Sequence, residues 1–463
     1  MKNKNLSISI YIISRNYDKY LEQAILSVLS QTEKKWHLYL INDGSSDSTK
    51  KIMSKYHQMY PKKIYFINNK KNIGLQKNAN KIIDISTNEF LMRLDADDWL
   101  ENNAIRLVLN EFKKNKKIDI VFGNYFYSSS NGIRISKENK LVLNKKINFK
   151  HFPPHGACTA FKKNLLKKYG GYNEKFNAQD GWDLWHKIAK KNNVSYIKNP
   201  IFNYRQHEKS ISKNKTKMLD ARNKIFEFYS NKINNKKKNL IAVIPVKENY
   251  VNFKNVPFLK INNKNLIERA IESAEKCSDI KKIIISTESE KIIKFVKYIK
   301  KYKNYKKIIS FKRKKDNQNK YLNLKKIISE ASTFYKKKFK KKIDYICYLS
   351  IHSPFRKSRD ISKCFNIIKV NKCDVVYSVQ TEYDPIFKFT SRGLRVLNPG
   401  RFDQISFEKE TLLKFNGSII IFKYVNNLDL FKGDIGYFEM SINSSYQIKT
   451  YEDFEKIQKL KLK

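Results

Sequence analysis

The chain has 463 residues, too many for one ordinary hydrophobic core, so two or three domains are expected. Hydrophobic residues make up 41% and aromatic residues 13%, which excludes a disordered chain, and no apolar run approaches the ~20 residues that span a bilayer. Lys and Arg number 95 against 43 Asp and Glu, a formal +52, but they are spread along the chain with no RNP-like, zinc-finger or helix-turn-helix signature, which sets nucleic acid aside.

The opening stretch MKNKNLSISIYIISRN has an apolar part too short for a signal peptide, broken by Ser and lacking a small-residue cleavage site. It reads as a first buried strand, Ser7–Ile13, and points to a cytoplasmic protein. Asp18 is positioned to cap a helix carrying Leu21, Ile25, Val28 and Leu29 on one face. Trp36–Ile41 reads as a second strand ending at Asn42-Asp43-Gly44-Ser45, and Lys63–Ile67 as a third after an intervening helix. A helix over Leu75–Ile85 and a strand over Phe90–Leu94 follow, the strand running into Asp95-Ala96-Asp97-Asp98. This βαβ alternation predicts an α/β fold, a mostly parallel sheet flanked by helices, with ligands beyond the carboxyl ends of the strands. The Lys/Asn-rich stretch 231–239 reads as a linker between a first domain, 1–230, and a second, 240–463. The pattern then restarts with Leu240–Ile244 as strand, Leu266–Glu275 as helix, and Lys282–Ser286, Tyr345–Ser350 and Val375–Val379 as further strands. Five Cys without a CxxC pair give neither a disulfide framework nor a zinc site.

Asp95 and Asp97, one residue apart at a strand end, can share a hard divalent cation, Mg²⁺ or Mn²⁺, with diphosphate oxygens completing its shell; a solvated acidic turn is the alternative. Asp43 can accept the N3–H of a uracil ring or belong to a turn capped by Asp47 and Ser48. Asp180, in Gln179-Asp180-Gly181-Trp182, can act as general base toward an acceptor hydroxyl or simply cap a helix. Arg205 and His207, in Tyr204-Arg205-Gln206-His207, offer a cation and an imidazole for phosphate oxygens.

Taken in order, ISIYIISRNYDKYLEQAILSVLSQT, LYLINDGSSDST, NIGLQKNANKIIDISTNEFLMRLDADDW, GGYNEKFNAQDGWDLWHKIA and YRQHEKSIS resemble glycosyltransferase family 2, of GT-A fold, over about Ser7 to Ser212. The resemblance implies an inverting, metal-using transfer from a UDP-linked sugar to a glycan or lipid-linked acceptor in surface polysaccharide or lipopolysaccharide assembly. It places Ser14, Asn16 and Asp43 at the nucleotide, Asp95 and Asp97 at metal and diphosphate, Asp180 as base, and Arg205 and His207 in the closing loop. Two departures, Asn42 and Gln179, stand beside retained acids.

From Leu240 onward, LIAVIPVKENYVNFKNVPFLKINNKNLIERAIESAEKCSDIKKIIISTESEKI, LSIHSPFRKSRDI, CDVVYSVQ, FNGSIIIFK and YEDFEKIQ resemble acylneuraminate cytidylyltransferases. That family holds its triphosphate in a Gly-rich loop and its metal on two Asp residues. Here the loop 246–255 has no Gly, and the two positions read Gln447 and Lys449. The expectation is a fold without its chemistry, used for homodimer assembly. A domain still binding a nucleotide or sugar, a bifunctional enzyme that also makes a CMP-sugar, and a scaffold in which both halves only bind are the alternatives. The charge also favours peripheral contact with the anionic inner face of the membrane.

Overall fold

The structure, a computed structural model, describes residues 6–138, 154–176, 178–188, 192–208, 210, 214–233, 238–250, 253–314, 323–382, 384, 386–390, 393–396, 412–425 and 433–460. The chain divides into two compact units, Met1–Ile225 and Phe226–Lys463. Parts of four sequence expectations lie outside the described residues: 234–237 of the linker, 251–252 of the glycine-free loop, 177 and 189 of the acceptor motif, and 209 and 211–212 of the closing loop.

The first unit runs β1 (Ile8–Ser14), α1 (Asp18–Leu29), β2 (Trp36–Asp43), α2 (Thr49–Met59), β3 (Ile64–Asn69), α3 (Leu75–Ile85), β4 (Phe90–Arg93), β5 (Trp99–Leu100), α4 (Ala104–Lys114), β6 (Ile118–Ser128), β7 (Arg134–Lys137), β8 (Ala160–Lys162), α5 (Lys163–Lys168), α6 (Asp180–Ile188) and β9 (Asn193–Arg205), and α7 (Lys215–Lys232) runs across the boundary at Ile225. Strands β3, β2, β1 and β4 pair in parallel in that order. β4 then meets β8 antiparallel, β8 meets β6 antiparallel, and β6 meets β9 in parallel. The parallel half ends at the Asp43 and Asp95 turns, and the mixed half contains β9.

Apolar residues explain the local choices. Six of the seven residues of β1 are buried, the near-continuous apolar run of a strand covered on both faces. One face packs on Leu21, Ile25 and Val28 of α1, the other on Ala79, Ile82 and Ile83 of α3. Buried Gln31 ties α1 to α4: its amide nitrogen donates to the Ser27 and Glu101 carbonyls and its oxygen accepts from the Ile105 amide. The capping expectation for Asp18 is corrected. Tyr17 holds the N-cap position without a side-chain bond, and Asp18 is the first helical residue. Its carboxylate accepts instead from the Ser48 amide across the neighbouring loop, 3.2 Å away. The expected linker is also shorter than its composition indicated, because α7 continues to Lys232.

The second unit carries a seven-stranded sheet built from Leu240–Val246, Ile280–Thr287, Ile308–Lys312, Tyr345–Leu349, Val375–Glu382, Leu412–Lys423 and Ile435–Glu439. The first four pair in parallel; Leu412–Lys423 runs antiparallel to both of its neighbours. Helices Leu266–Glu275 and Ser358–Asn371 cover it. All five cysteines are buried, and none forms a disulfide. No described helix is long and apolar enough to cross a membrane.

Candidate active site

The acidic turn lies where the parallel half of the first sheet ends. The Leu94 amide still donates to the Tyr11 carbonyl of β1, at 3.0 Å, and the Asp98 amide closes the turn on the Asp95 carbonyl, at 3.1 Å. Asp98 is buried and accepts the Arg205 backbone amide at 2.9 Å. Its other oxygen has no partner, and burial with the charges of Asp97 and Asp95 pushes its carboxyl well above the usual range. Burial also pushes Asp95 up to about 6, with Arg93 opposing and Asp97 and Asp180 reinforcing.

Arg205 and His207 close over this turn. Arg205 donates from Nε to the Asp97 carbonyl and from Nη1 to the Ser130 carbonyl, each 2.8 Å, and from Nη2 to Gln23 Oε1. Its guanidinium lies between the rings of Tyr20 and Trp99, each 4.6 Å away. Every nitrogen of this guanidinium therefore has a protein acceptor, and the residue anchors the closing segment to the turn. His207 packs against Tyr17 and Tyr20, and its Nε2 lies 2.8 Å from Asp97 Oδ2.

Asp180 reaches the same place from α6. Tyr172 is clasped by Asn80 of α3, which accepts from its amide at 2.7 Å and donates to its carbonyl at 3.0 Å. Gly171 makes this possible: its φ is +58°, and a Cβ there would sit 2.4 Å from the Asn80 side-chain oxygen. Gln179 adopts φ 61°, and its carbonyl accepts the Trp182 amide at 3.0 Å, opening the helix. Asp180 therefore does not serve as N-cap. Its Oδ2 accepts from Arg93 Nη1 at 2.6 Å, while Arg93 Nε forms an ion pair with Asp95 Oδ1 at 2.8 Å. Sequence reasoning missed Arg93. The available signal was a lone cation in the apolar run Phe90-Leu91-Met92-Arg93-Leu94, since a buried guanidinium requires anionic partners.

The other candidates lie at neighbouring strand ends. Asp43 is buried at the end of β2. It accepts from the Ile73 amide (2.9 Å), Asn69 Nδ2 (3.1 Å) and the Gly74 amide (3.0 Å), steadying the entry to α3. Ser14 ends β1 with a buried hydroxyl that has no partner. Asn16 adopts φ 60° and accepts from the Ser46 amide at 2.9 Å, tying the β1–α1 loop to the β2–α2 loop. The structure thus brings Asp95, Asp97, Asp180, Arg205 and His207 into one connected cluster. Ser14, Asn16 and Asp43 sit on the adjoining strand ends.

The acidic turn suits a divalent cation in two respects. Among the described residues Asp95 Oδ2 and Asp97 Oδ1 carry no protein hydrogen bond, and the crowded acids repel one another in a way that a cation relieves. Among the described residues no group of three His, Cys, Asp or Glu forms a closed cage. Two carboxylates supplemented by phosphate and water oxygens match the habit of Mg²⁺.

The second unit carries the glycine-free loop and the Gln447 and Lys449 positions. The glycine-free loop is tied to its surroundings: Glu248 accepts from the Ser289 hydroxyl at 2.7 Å and pairs with Lys291 at 3.3 Å, and Asn249 accepts the Asn255 amide at 2.9 Å. Gln447 donates to the Ser353 hydroxyl at 2.5 Å, beside Gly417, where a Cβ would stand 2.9 Å from the Gln447 oxygen. The Lys449 amide joins the capping of helix Tyr451–Lys459 through Asp453, at 2.9 Å.

Comparison with known proteins follows the same division. Residues 9–170 match the family Glycosyl transferase family 2, and residues 241–463 match the family Cytidylyltransferase. Chondroitin synthase of Pasteurella multocida (strain Pm70) is 25% identical over 225 residues, 47% of this chain and 22% of that protein. The UDP-Glc:alpha-D-GlcNAc-diphosphoundecaprenol beta-1,3-glucosyltransferase WfgD of Escherichia coli is 28% identical over 217 residues, 46% of this chain and 82% of that protein. This chain spans 22%, 30% and 21% of the first three curated relatives it matches. Among solved structures, S. aureus TarS 1–349 is similar with a TM-score of 0.39 and 14% identity, over 50% of this chain and 66% of that one, too remote to carry an argument.

Proposed function

We propose that this chain, a family 2 glycosyltransferase domain joined to a cytidylyltransferase-family domain, transfers a sugar from a nucleoside diphosphate donor to a glycan or lipid-linked acceptor, inverting the anomeric carbon. The observation that carries this reading is the convergence of Asp180 and Asp95 on one buried guanidinium, Arg93. It puts a base candidate from α6 beside the acids that end β4.

In this reading Asp180 takes the proton of the acceptor hydroxyl as that oxygen attacks the anomeric carbon. Arg93 occupies Asp180 Oδ2, which leaves Oδ1 for the acceptor. The bond from the anomeric carbon to the diphosphate breaks, and the nucleoside diphosphate leaves from the opposite face. Asp95 and Asp97 would hold Mg²⁺ or Mn²⁺, which supplies charge neutralisation for the departing diphosphate. His207 stands on the same side, and Arg205 adds a fixed positive charge there. Ser14, Asn16 and Asp43 line the nucleotide end. A carboxylate has about four lone-pair positions, so Asp43 can accept a uracil N3–H beside its present bonds. The donor named for the Escherichia coli relative WfgD supports a UDP-linked sugar, and its diphosphoundecaprenol acceptor supports a lipid-linked one. Surface polysaccharide or lipopolysaccharide assembly at the inner face of the membrane is the setting, with the +52 charge favouring peripheral contact.

The second domain makes no CMP-sugar in this reading and serves homodimer assembly. The loop without glycine and the Gln447 and Lys449 positions support that over a bifunctional enzyme. Asp180→Asn tests the central assignment. General-base catalysis contributes ~10²–10⁴-fold, so turnover should fall by about that factor while UDP binding with Mn²⁺ is unchanged. Wild-type turnover in this variant would remove Asp180 from the chemistry.

A further inference from the structure

Arg93 is buried at the end of β4, and its two carboxylate partners come from different elements. Nε faces Asp95 Oδ1 at 2.8 Å, in the turn after its own strand. Nη1 faces Asp180 Oδ2 at 2.6 Å, 87 residues on in sequence and at the start of α6. The third nitrogen, Nη2, lies under Gly156, where any Cβ would come within 2.9 Å. One nitrogen thus hydrogen-bonds Asp180, a second is in ion-pair contact with Asp95 without hydrogen-bond alignment, and the third lies under Gly156. Arg205 and His207, across the turn, bond elsewhere.

Neutralising two half-buried acids requires only a positive charge, and a Lys supplies one. Holding them at a set separation and angle requires a planar group with donors along different edges, which only Arg has. We propose that Arg93 is a positioning residue for transfer: it fixes the Asp180 carboxylate relative to Asp95, so that base and donor are aligned through one rigid group. The proposal rests on the reading of Asp180 as base and Asp95 as a donor-side acid. Arg93 itself touches neither sugar nor acceptor.

The test compares Arg93→Lys, Asp180→Asn and the double variant in the full chain. The donor is UDP-glucose or UDP-N-acetylglucosamine with Mn²⁺, and kcat and KM are measured alongside thermal melting. Arg93→Lys should melt like wild type and keep its donor KM, because the charge remains. Its kcat should fall about a hundredfold, the cost of a misplacement near 1 Å. Added to Asp180→Asn, it should cost no more than about twofold further, because Arg93 acts through Asp180. Should Arg93→Lys fail to fold, Arg93→Gln, planar and neutral, takes its place. Wild-type kcat in a folded Arg93 variant, or losses that multiply in the double variant, would overturn the proposal and leave Asp180 standing as base. Wild-type turnover in Asp180→Asn would remove the base reading and the proposal together. A crystal structure of Arg93→Lys gives an arm that needs no donor: the Asp180 carboxylate should leave its place beside Asp95, and an unmoved carboxylate refutes the idea.

Discussion

Replacing Gly156 by Ala is the smallest perturbation that reaches the candidate base. The φ of Gly156 lies outside the left-handed region, so Ala meets no backbone strain and the effect is one of contact alone. The added Cβ falls 2.9 Å from Arg93 Nη2 and 3.3 Å from Asp180 Oδ2. A mobile surface side chain would step aside. Arg93 cannot do so cheaply, because it is buried, Nη1 is hydrogen-bonded to Asp180 at 2.6 Å and Nε forms an ion pair with Asp95 at 2.8 Å. Overpacking of a filled interior costs about 1–3 kcal/mol. For a unit of this size each kcal/mol lowers the melting midpoint by about 2–4 °C. The pair must shift by a few tenths of an ångström, and since 1 Å costs about a hundredfold, turnover should drop about tenfold. Differential scanning calorimetry and release of UDP from a UDP-sugar would read the two effects. Gly181→Ala is the control for stability: its Cβ meets nothing closer than 3.6 Å, and in a helix Ala should stabilise by about 0.5–1 kcal/mol. Wild-type melting and turnover in Gly156→Ala would show that the Arg93–Asp180 pair is free to move and that its rigidity has no bearing on the reaction.

Asp97→Ala should abolish most metal-dependent turnover and also free His207, while leaving the fold intact by circular dichroism; full activity in excess chelator would sink the metal assignment. Asp43→Ala leaves the Ile73 amide without its acceptor and takes one of two acceptors from the Gly74 amide and Asn69 Nδ2, so it should cost about 1–3 kcal/mol in urea unfolding; it should also weaken UDP binding. A loss confined to stability would make Asp43 a purely structural acid. The full chain incubated with CTP, Mg²⁺ and nonulosonic acids should release no pyrophosphate, and robust release would show that the second domain is active. Its mass in solution should be twice that of one chain, and a monomer at micromolar concentration would end the assembly role.

The parts of the fold most legible in the sequence were those whose burial is one-sided and periodic. Helices Leu75–Ile85 and Leu266–Glu275 match their expected bounds, because Ala79, Ile82 and Ile83, and likewise Leu266, Ile267, Ala270, Ile271 and Ala274, recur on one face. Strand ends differ in both directions: Phe90–Leu94 and Tyr345–Ser350 each stop one residue early, while Trp36–Ile41 and Leu240–Ile244 each run two residues further. Val375–Glu382 continues through polar residues because Gln380, Thr381 and Glu382 still pair with Lys414, Leu413 and Leu412. β9 was not read at all: Lys198-Asn199-Pro200 looks like a turn, and the sheet absorbs it as irregular register against β6. At the site, Asp95 and Asp97 could be found because they end an apolar strand. The partner of Asp180 could not, because capping and catalysis predict the same residue at a helix start, and only the fold brings Arg93 to it. The charge of Arg205 is legible in the sequence, but its contacts with the Asp97 and Ser130 carbonyls, Gln23 and two rings come only from the fold.

The central claim is a metal-dependent sugar-nucleotide site at the acidic turn of the first domain. Isothermal titration of the purified chain with a panel of nucleotide sugars, each with Mn²⁺ and with chelator, tests it most directly. The account predicts that a UDP-sugar binds with Mn²⁺ and that Asp97→Ala or chelator removes that binding. Binding indifferent to both, or no binding of any nucleotide sugar in the presence of Mn²⁺, would contradict it.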